Sequence, residues 1–280
     1  MNAAAAPAHN DAFASSMAEL GYAELDLREE PGVLALCDQA VADVRSYAAQ
    51  GFNRVQDAWR KSDAIRTLAG LKRVTDALAV AYSATPFPFQ TLNFERGSQQ
   101  APHADIYHFT PEPAHLMCGV WLALEDVHPD AGPLVYFPKS HVAPVVTGDR
   151  PEGVTPEAGY STVYEPAVRA EIDALGFEPK YALLKKGQAF VWAANLLHGG
   201  SPVRDATRTR RSLVTHYFFE GSDYHTLMHG DQRTGRRFRR LPQDVRNGRF
   251  VWPAGGRPRL RTIVGATLQR ALRRVYGFKA

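Results

Sequence analysis

The run FPFQTLNFE at residues 87–95 marks the point where the hydrophobic pattern of the chain changes. Before it, apolar residues recur every three or four positions, which is typical of helices. After it come short β-branched or aromatic runs separated by Gly, Pro, Asp and Asn, as expected for a β-sandwich or barrel. These later runs are HLMCGVWLALEDV at 115–127, GPLVYFPKS at 132–140, KYALLKKG at 180–187, QAFVWAANLLH at 188–198 and RRSLVTHYFFE at 210–220.

The pattern predicts a mainly β fold with flanking helices, organised in three parts. We expect residues 1–85 to form a helical N-terminal region that packs on the core, residues 86–220 to form the β core, and residues 221–280 to form a basic C-terminal extension. Within the core, residues 142–179 are too long and too polar for a hairpin connection. They predict a lid-like excursion with one short helix near residues 165–175.

The composition of the 280 residues argues against several classes of protein. With 45% hydrophobic and 22% charged residues, the chain can bury a sizeable core and is not predominantly disordered. No apolar run reaches about 18 residues, and the N-terminus lacks the pattern of a secretory signal, so we expect a cytoplasmic protein. The two cysteines, Cys37 and Cys118, have no partners at metal-ligand spacing and predict reduced core residues.

The segment GSQQAPHADIYHF at residues 97–109 carries the first candidate for chemistry. In an extended chain, residues two apart point the same way, so His103 and Asp105 can present an imidazole and a carboxylate to one point. FVWAANLLHGGSP, at residues 190–202, offers His198 as a third ligand at the end of an apolar run. Two histidines and one carboxylate form the facial triad of non-haem iron(II) oxygenases. Ordinary core or turn histidines are the alternative interpretation.

The strand-like run that follows His198 suits an anionic ligand. Alternation places Arg210, Ser212 and His216 on one face of this run. A buried arginine is unfavourable unless an anion meets it, and a guanidinium backed by a hydroxyl suits a carboxylate. A dicarboxylic co-substrate, held by a metal at one end and by Arg210 and Ser212 at the other, would account for both groups.

The remaining histidines are weaker candidates for metal binding. We expect His108 to face substrate or solvent, and His216 to be structural or to lie behind the metal ligands. His225 and His229 have the i, i+4 spacing of a helical zinc site, but Thr226 stands where the catalytic glutamate of that motif would be. We interpret that pair as a coincidence.

Four stretches, in the correct order, resemble the phytanoyl-CoA dioxygenase family of Fe(II)/2-oxoglutarate-dependent oxygenases. The resemblance covers roughly residues 50–220 and implies a double-stranded β-helix core, also called a jelly roll and similar to the cupins, with helices packed outside. The four stretches are residues 90–109 with His103-x-Asp105, VWLALED at 120–126 followed by Gly132-Pro133-Leu134, FPKSH at 137–141, and HGGSP at 198–202 joined to Arg210-x-Ser212 and His216-Tyr217.

The resemblance also implies roles for individual residues. His103, Asp105 and His198 would bind Fe(II), which would act with 2-oxoglutarate and O₂ as co-substrates. Arg210 with Ser212 would bind the distal carboxylate of 2-oxoglutarate.

Three further polar or aromatic positions lead to this site. Trp121 would line the 2-oxoglutarate pocket by the same resemblance. Gln90 and Asn93 would hydrogen-bond 2-oxoglutarate or substrate, as would Gln100, and simple edge or turn polarity is the alternative for each of these three.

The intact carboxylate of Asp105 favours hydroxylation or another oxidation without halide, because relatives that halogenate carry a small residue there. The implied reaction oxidises an unactivated C–H bond of a small or carrier-linked organic substrate and releases succinate and CO₂. The alternative is a non-catalytic jelly-roll or cupin-like module that binds a metal or a sugar. Two departures from the family pattern, Lys139 for Gly and Val203 for Asn, are expected to leave the metal untouched.

The C-terminal part of the chain is strongly basic, although the net charge is only +4. Residues 201–280 carry 18 Lys and Arg against 5 Asp and Glu, and apolar residues recur at helical spacing within 258–275. A basic helix there would pack on the core, contact an anionic membrane peripherally at its inner surface, or dock an anionic substrate. No nucleic acid is expected, because aromatic residues are not interleaved with the charges.

Overall fold

The protein is built around a six-stranded antiparallel sheet, seen in a computed structural model that describes residues 5–231 and 234–256. The helices are α1 (Ala5–Leu20), α2 (Val33–Ala49), α3 (Asp63–Ala69), α4 (Lys72–Tyr82), α5 (Pro156–Gly159) and α6 (Glu165–Leu175). The strands are β1 (Tyr22–Asp26), β2 (Arg54–Gln56), β3 (Pro86–Phe94), β4 (Thr110–Glu112), β5 (Met117–Ala123), β6 (Leu134–Tyr136), β7 (Lys180–Ala182), β8 (Gln188–Ala193), β9 (His198–Gly200), β10 (Ser212–Phe219), β11 (Asp223–Asp231) and β12 (Arg236–Arg239).

The strands form three sheets that enclose the interior of a jelly roll. The main sheet has the order β1-β8-β5-β10-β3-β2, and the smaller sheets have the orders β7-β6-β9 and β12-β11-β4. β10 pairs with both β5 and β3, so the segment expected to bind an anion runs along the middle of the main sheet. The predicted fold class, a mainly β double-stranded β-helix core with flanking helices, is confirmed.

The two faces of the main sheet bury different sets of side chains, as the period of two in a strand requires. On β5, Val120 and Leu122 pack in a core cluster with α1–α4. Trp121 and Ala123 point the other way and pack with residues of the sheet β7-β6-β9. Both faces are covered, which explains why β5 reads as a continuous apolar run.

The N-terminal region is helical as predicted, with one difference. The stretch that follows α1 forms β1, which pairs with β8 at one edge of the main sheet, and β2 pairs with β3 at the other edge. Gly21 adopts a positive φ of 81°, which ends the helical path. The region expected to be helical therefore also contains a strand, because the alternating burial of β1 completes the sheet.

The excursion at 142–179 contains α6 close to the predicted position, preceded by a wider turn over Tyr160–Tyr164. Tyr164 is fully buried, and its hydroxyl donates to the carbonyl of Ala104 at 3.3 Å and accepts from the amide of Ala104 at 2.9 Å. These contacts hold the excursion against the segment that carries the predicted metal ligands.

The first part of the C-terminal extension joins the fold. β11 pairs with β4 and β12, and the chain after β12 returns to the core, where Leu241 and Val245 are buried. The basic helix predicted at 258–275 lies outside the described residues. No helix within the described ranges is long and apolar enough to cross a membrane.

Candidate metal centre

His103, Asp105 and His198 meet in the interior of the jelly roll, and all three are buried. Nε2 of His103 lies 4.0 Å from Oδ1 of Asp105, and Nε2 of His198 lies 3.9 Å from Oδ2. One atom from each side chain can be chosen so that all three lie within 4.8 Å of one another. Within residues 5–231 and 234–256, no other group of three or more His, Cys, Asp or Glu side chains offers such a site.

Backbone hydrogen bonds fix the two histidines side by side. The amide of His103 donates to the carbonyl of His198, and the amide of His198 donates back, each at 2.9 Å. Gly199 makes this approach possible, because a Cβ there would lie 2.7 Å from the carbonyl oxygen of Gln100. Ala104 is extended and Asp105 begins a short 3-10 turn, so the two ligands of the His-x-Asp pair face the same point.

The imidazole orientations suit metal binding. Nδ1 of His103 lies 3.0 Å from the carbonyl oxygen of Ala101, and Nδ1 of His198 lies 2.9 Å from that of Leu196. Because a carbonyl only accepts, Nδ1 carries the proton in each ring and Nε2 presents its lone pair to the centre. Burial lowers the pKa of His103 to about 4 and also lowers the pKa of His198, so both are neutral at pH 7.

Two side chains from neighbouring strands hold the carboxylate of Asp105. Nε1 of Trp192 donates to Oδ2 at 2.8 Å, and Nε2 of His216 lies 3.3 Å from the same oxygen. Nδ1 of His216 lies 3.0 Å from Oε1 of Gln90. Burial would raise the pKa of Asp105, but the nearby His216 and His198 outweigh it and hold the pKa well below its usual range. Asp105 is therefore a carboxylate whose Oδ2 is held on the side of Trp192.

The role of Trp192 as a hydrogen-bond donor to Asp105 was not predicted from the sequence, because an indole in an apolar strand is usually a core residue. The available signal was the glycine in the interior of β5. Gly119 pairs with Trp192 across β5 and β8, and a Cβ at position 119 would overlap the indole ring. Glycine at this position lets the indole lie across the sheet and reach Asp105.

A second polar region of the same interior surrounds Arg210, which is only 3% exposed. Its guanidinium carbon lies 5.2 Å from the ring centre of Trp121, and Nη2 donates to the carbonyl of Arg96 at 3.3 Å. Burial lowers the pKa of Arg210 to about 10, so the group remains a cation at pH 7.

Three buried polar atoms near Arg210 have no hydrogen-bond partner among the described residues: Nε of Arg210, Nε1 of Trp121 and Oγ of Ser212. An unsatisfied buried group costs about 1–3 kcal/mol, so a ligand with several acceptor oxygens would be stabilised here. The donor set therefore fits a carboxylate, and the neighbouring ligand set of two imidazoles and one carboxylate fits iron.

One cavity of about 450 Å³ joins both regions. We call one side of it the sheet wall, which is carried by β3, β5, β8 and β10 and by Arg210, two residues before β10. We call the other side the outer wall, which is carried by segments outside the main sheet. The sheet wall comprises Gln90, Trp121, Trp192, Arg210, Val214 and His216, and the outer wall comprises Gln100, His108, Phe109, Tyr160, Met228 and Arg240.

Gln90 and Asn93 differ in where the structure places them. Gln90 lines the cavity, whereas Asn93 pairs with Leu213 and Val55, which belong to the core cluster beneath the helices. The expectation that Asn93 contacts the co-substrate is therefore corrected. Residues three apart on a strand lie on opposite faces, so the two could not both face the cavity.

Ring and amide side chains of the outer wall contact one another. Nε2 of Gln100 lies 3.4 Å from the hydroxyl of Tyr160, and the rings of His108 and Tyr160 are 5.1 Å apart. His108 lines the cavity but is not part of the metal group, as expected. The sequence did not indicate Tyr160, Met228 or Arg240, because none of the three belongs to a recognisable motif.

His225 and His229 lie on β11, so their i, i+4 spacing is not helical. Neither belongs to the metal group of the described residues. The spacing is therefore not that of a helical zinc motif.

Comparison with known proteins agrees with the fold. Residues 87–212 match the family model described as Phytanoyl-CoA dioxygenase (PhyH). No curated protein matches the chain.

Several solved structures share the architecture at low sequence identity. The non-haem α-ketoglutarate-dependent epimerase SnoN from nogalamycin biosynthesis is 20% identical with a TM-score of 0.59, covering 79% of this chain and 87% of its own. The carbocyclase SnoK from the same biosynthesis is 16% identical with a TM-score of 0.59, covering 76% and 85%. EctD from S. alaskensis, solved with 2-oxoglutarate and 5-hydroxyectoine, is 16% identical with a TM-score of 0.61, covering 86% and 87%. At these sequence identities the likeness shows a shared fold and nothing more.

Proposed function

We propose that this chain, whose residues 87–212 match the phytanoyl-CoA dioxygenase family model, is an Fe(II)- and 2-oxoglutarate-dependent oxygenase that hydroxylates a small organic substrate. The observation that carries the proposal is the joining of two sites in one cavity. The buried cluster of His103, Asp105 and His198 faces the same space as the buried cation Arg210. A dicarboxylate co-substrate needs a metal at one end and a cation at the other.

Each protein group has a defined task in this proposal. His103 and His198 would bind Fe(II) through Nε2, and Asp105 would add the negative charge that a divalent cation requires. Trp192 and His216 hold Oδ2 of Asp105 and so orient its other oxygen towards His103.

The co-substrate would lie along the sheet wall. Arg210 and Ser212 would bind the distal carboxylate of 2-oxoglutarate, with the indole of Trp121 beside it. Apolar neighbours such as Val214 exclude water from this end, which strengthens the ion pair.

When bound, Fe(II) with 2-oxoglutarate supplies the oxidising power for attack on a C–H bond, using O₂ and releasing succinate and CO₂. The protein's contribution is to hold the target carbon of the substrate against the metal with the outer wall and to keep other groups away. Hydroxylation is the outcome proposed here, supported by the intact carboxylate at Asp105.

The cellular setting belongs to the proposal as well. We place the enzyme in the cytoplasm, acting on a free or carrier-linked small molecule. Contact with the inner surface of a membrane would involve residues 258–275, which lie outside the described residues.

Succinate formation tests the activity. The protein is loaded with Fe(II) and 2-oxoglutarate without oxygen and then exposed to air, and succinate is measured. We expect production above that of Asp105→Ala treated identically. If neither iron nor 2-oxoglutarate binds the wild-type protein, the oxygenase proposal fails and the non-catalytic module remains.

A further inference from the structure

A second arginine, Arg240, is held in a defined position on the outer wall. Its Nη1 donates to the carbonyl of His108 at 2.9 Å, and its guanidinium carbon lies 4.7 Å from the ring centre of Phe109. Its backbone amide donates to the carbonyl of Tyr224 at 2.7 Å. These contacts orient a planar, five-donor group before any ligand arrives, which is the arrangement that favours recognition of an acidic group.

The charges along the cavity point to the same class of ligand. Three arginines line it, namely Arg54, Arg210 and Arg240. Asp105 is the one acidic residue on the cavity wall within the described part of the chain, and it belongs to the metal group. A cleft lined by one sign of charge raises the local concentration of ligands of the opposite sign.

Arg240 lies close enough to the metal group to hold the substrate itself. The ring of Phe109, beneath the guanidinium, is 4.9 Å from the ring of His216, which contacts Asp105. His108, whose carbonyl accepts from Arg240, has its ring 6.1 Å from that of His103. A ligand whose acidic group binds Arg240 would therefore place its next few atoms beside the metal ligands.

The rest of the outer wall suits a small, partly apolar body. The rings of His108 and Tyr160 offer flat faces, and Met228 adds an adaptable apolar contact. Burial lowers the pKa of His108 to about 3, so this imidazole is neutral at pH 7. The volume of about 450 Å³ must also hold the co-substrate, which leaves room for a small molecule.

We infer that the substrate is a small organic anion whose carboxylate or phosphate group binds the guanidinium of Arg240 while its body lies against Tyr160 and His108. The inference rests on the proposed function, because it assigns Arg210 to 2-oxoglutarate and leaves Arg240 for the substrate. The two arginines then divide two anions between the sheet wall and the outer wall.

Matched probes test this division. Wild-type protein is loaded with Mn(II) and 2-oxoglutarate without oxygen and titrated calorimetrically with phenylacetate, phenyl phosphate and the neutral 2-phenylethanol. We expect at least one anion to bind about 10-fold or more tightly than the alcohol, as expected for a charge-assisted contact. The stronger of the two anions identifies the acidic group that the site prefers.

Substitutions locate the preference. Arg240→Gln should remove it, and Arg240→Lys should retain part of it, because the charge remains while the planar fork is lost. Arg239→Gln is the matched control, since Arg239 is the exposed neighbour on β12 and does not line the cavity. This control should bind the anion like the wild type.

Binding of Mn(II) and 2-oxoglutarate is measured first in every variant, which separates this inference from the proposed function. If both ligands bind but the probes show no preference for the anions, or if the preference survives Arg240→Gln, the inference is overturned. Failure of wild-type protein to bind Mn(II) or 2-oxoglutarate would instead contradict the proposed function.

Discussion

The sheet wall and the outer wall of the cavity differ in how their side chains are held. On the sheet wall, the residues lie on strands that are hydrogen-bonded on both sides. Trp192 and His216 both pair with Gly119 of β5, and Trp121 pairs with Val214 of β10. The outer wall is assembled from the segment at 97–109, the excursion and the C-terminal extension. A rigid sheet thus serves the metal and co-substrate, while the outer wall can change its side chains, and hence its substrate, without moving the sheet.

The largest effect should come from the metal ligands. Asp105→Ala removes the anionic ligand and should weaken binding of Fe(II) by more than about 100-fold, because mutation of residues merely behind the ligands already costs about 10–100-fold. Calorimetry without oxygen measures the loss.

The matched variant on the outer wall is His108→Gln, which should retain iron affinity within about threefold, consistent with ordinary surface or lining changes. Equal losses of iron affinity in the two variants would mean that His108 belongs to the metal site. The outer wall would then also bind the metal.

The next effect concerns the co-substrate end of the sheet wall. Arg210→Ala should weaken 2-oxoglutarate binding by about 100-fold, in the range found when one partner of a buried charge pair is removed. Metal binding should persist, because Arg210 is not part of the metal group.

Arg240→Gln on the outer wall is the comparison for this prediction, and its 2-oxoglutarate affinity should match the wild type. A variant pair with the reverse pattern would assign the co-substrate to the outer wall instead.

A smaller effect tests the hydrogen bond behind Asp105. Trp192→Phe keeps an aromatic ring but removes the donor to Oδ2, and it should lower metal affinity by about 10–100-fold. Gly119→Ala should act in the same direction, because the added Cβ would displace the indole.

Trp59→Phe provides the control on the helix side of the sheet. Trp59 is also buried and donates from Nε1 to an aspartate, Asp57, at 3.3 Å. Its loss should lower the thermal stability but not the metal affinity. If both tryptophan variants weaken metal binding alike, the effect comes from general destabilisation.

The smallest expected effect is the pH dependence of the stability of the metal-free protein. His103 and His108 have folded-state pKa values of about 4 and about 3, below the ordinary value of about 6.5. Between the folded-state pKa and the ordinary value, the unfolded chain binds more protons than the folded chain. Stability should therefore fall as the pH decreases from about 6.5 towards 4.

Each such histidine contributes up to about 1.4 kcal/mol per pH unit in this window. Chemical unfolding at several pH values measures the slope. His108→Phe should make the slope shallower, and a slope identical to the wild type would show that His108 titrates normally.

The residues that could be predicted from the sequence are polar side chains in segments with a regular apolar pattern. His103, Asp105, His198 and Arg210 combine spacing along extended segments with unusual polarity in apolar surroundings. The parity of strand positions could also have separated Gln90 from Asn93, which their polarity alone did not.

The rest depended on contacts that no local pattern encodes. Trp192 reads as a core residue until its pairing with Gly119 is known, and β1 was missed because a five-residue strand follows a helix directly. Tyr160 and Arg240 reach the cavity from segments far from residues 97–109 in sequence. The outer wall is therefore the part for which tertiary structure was needed.

Metal-dependent binding of 2-oxoglutarate tests the central claim most directly, because it requires one ligand to bridge the metal group and Arg210. The affinity for 2-oxoglutarate is measured by calorimetry without oxygen, with and without Mn(II), in the wild type and in Asp105→Ala. We predict that Mn(II) raises the affinity of the wild type at least about 10-fold and leaves that of Asp105→Ala unchanged. An affinity that Mn(II) does not alter in the wild type would contradict a shared site.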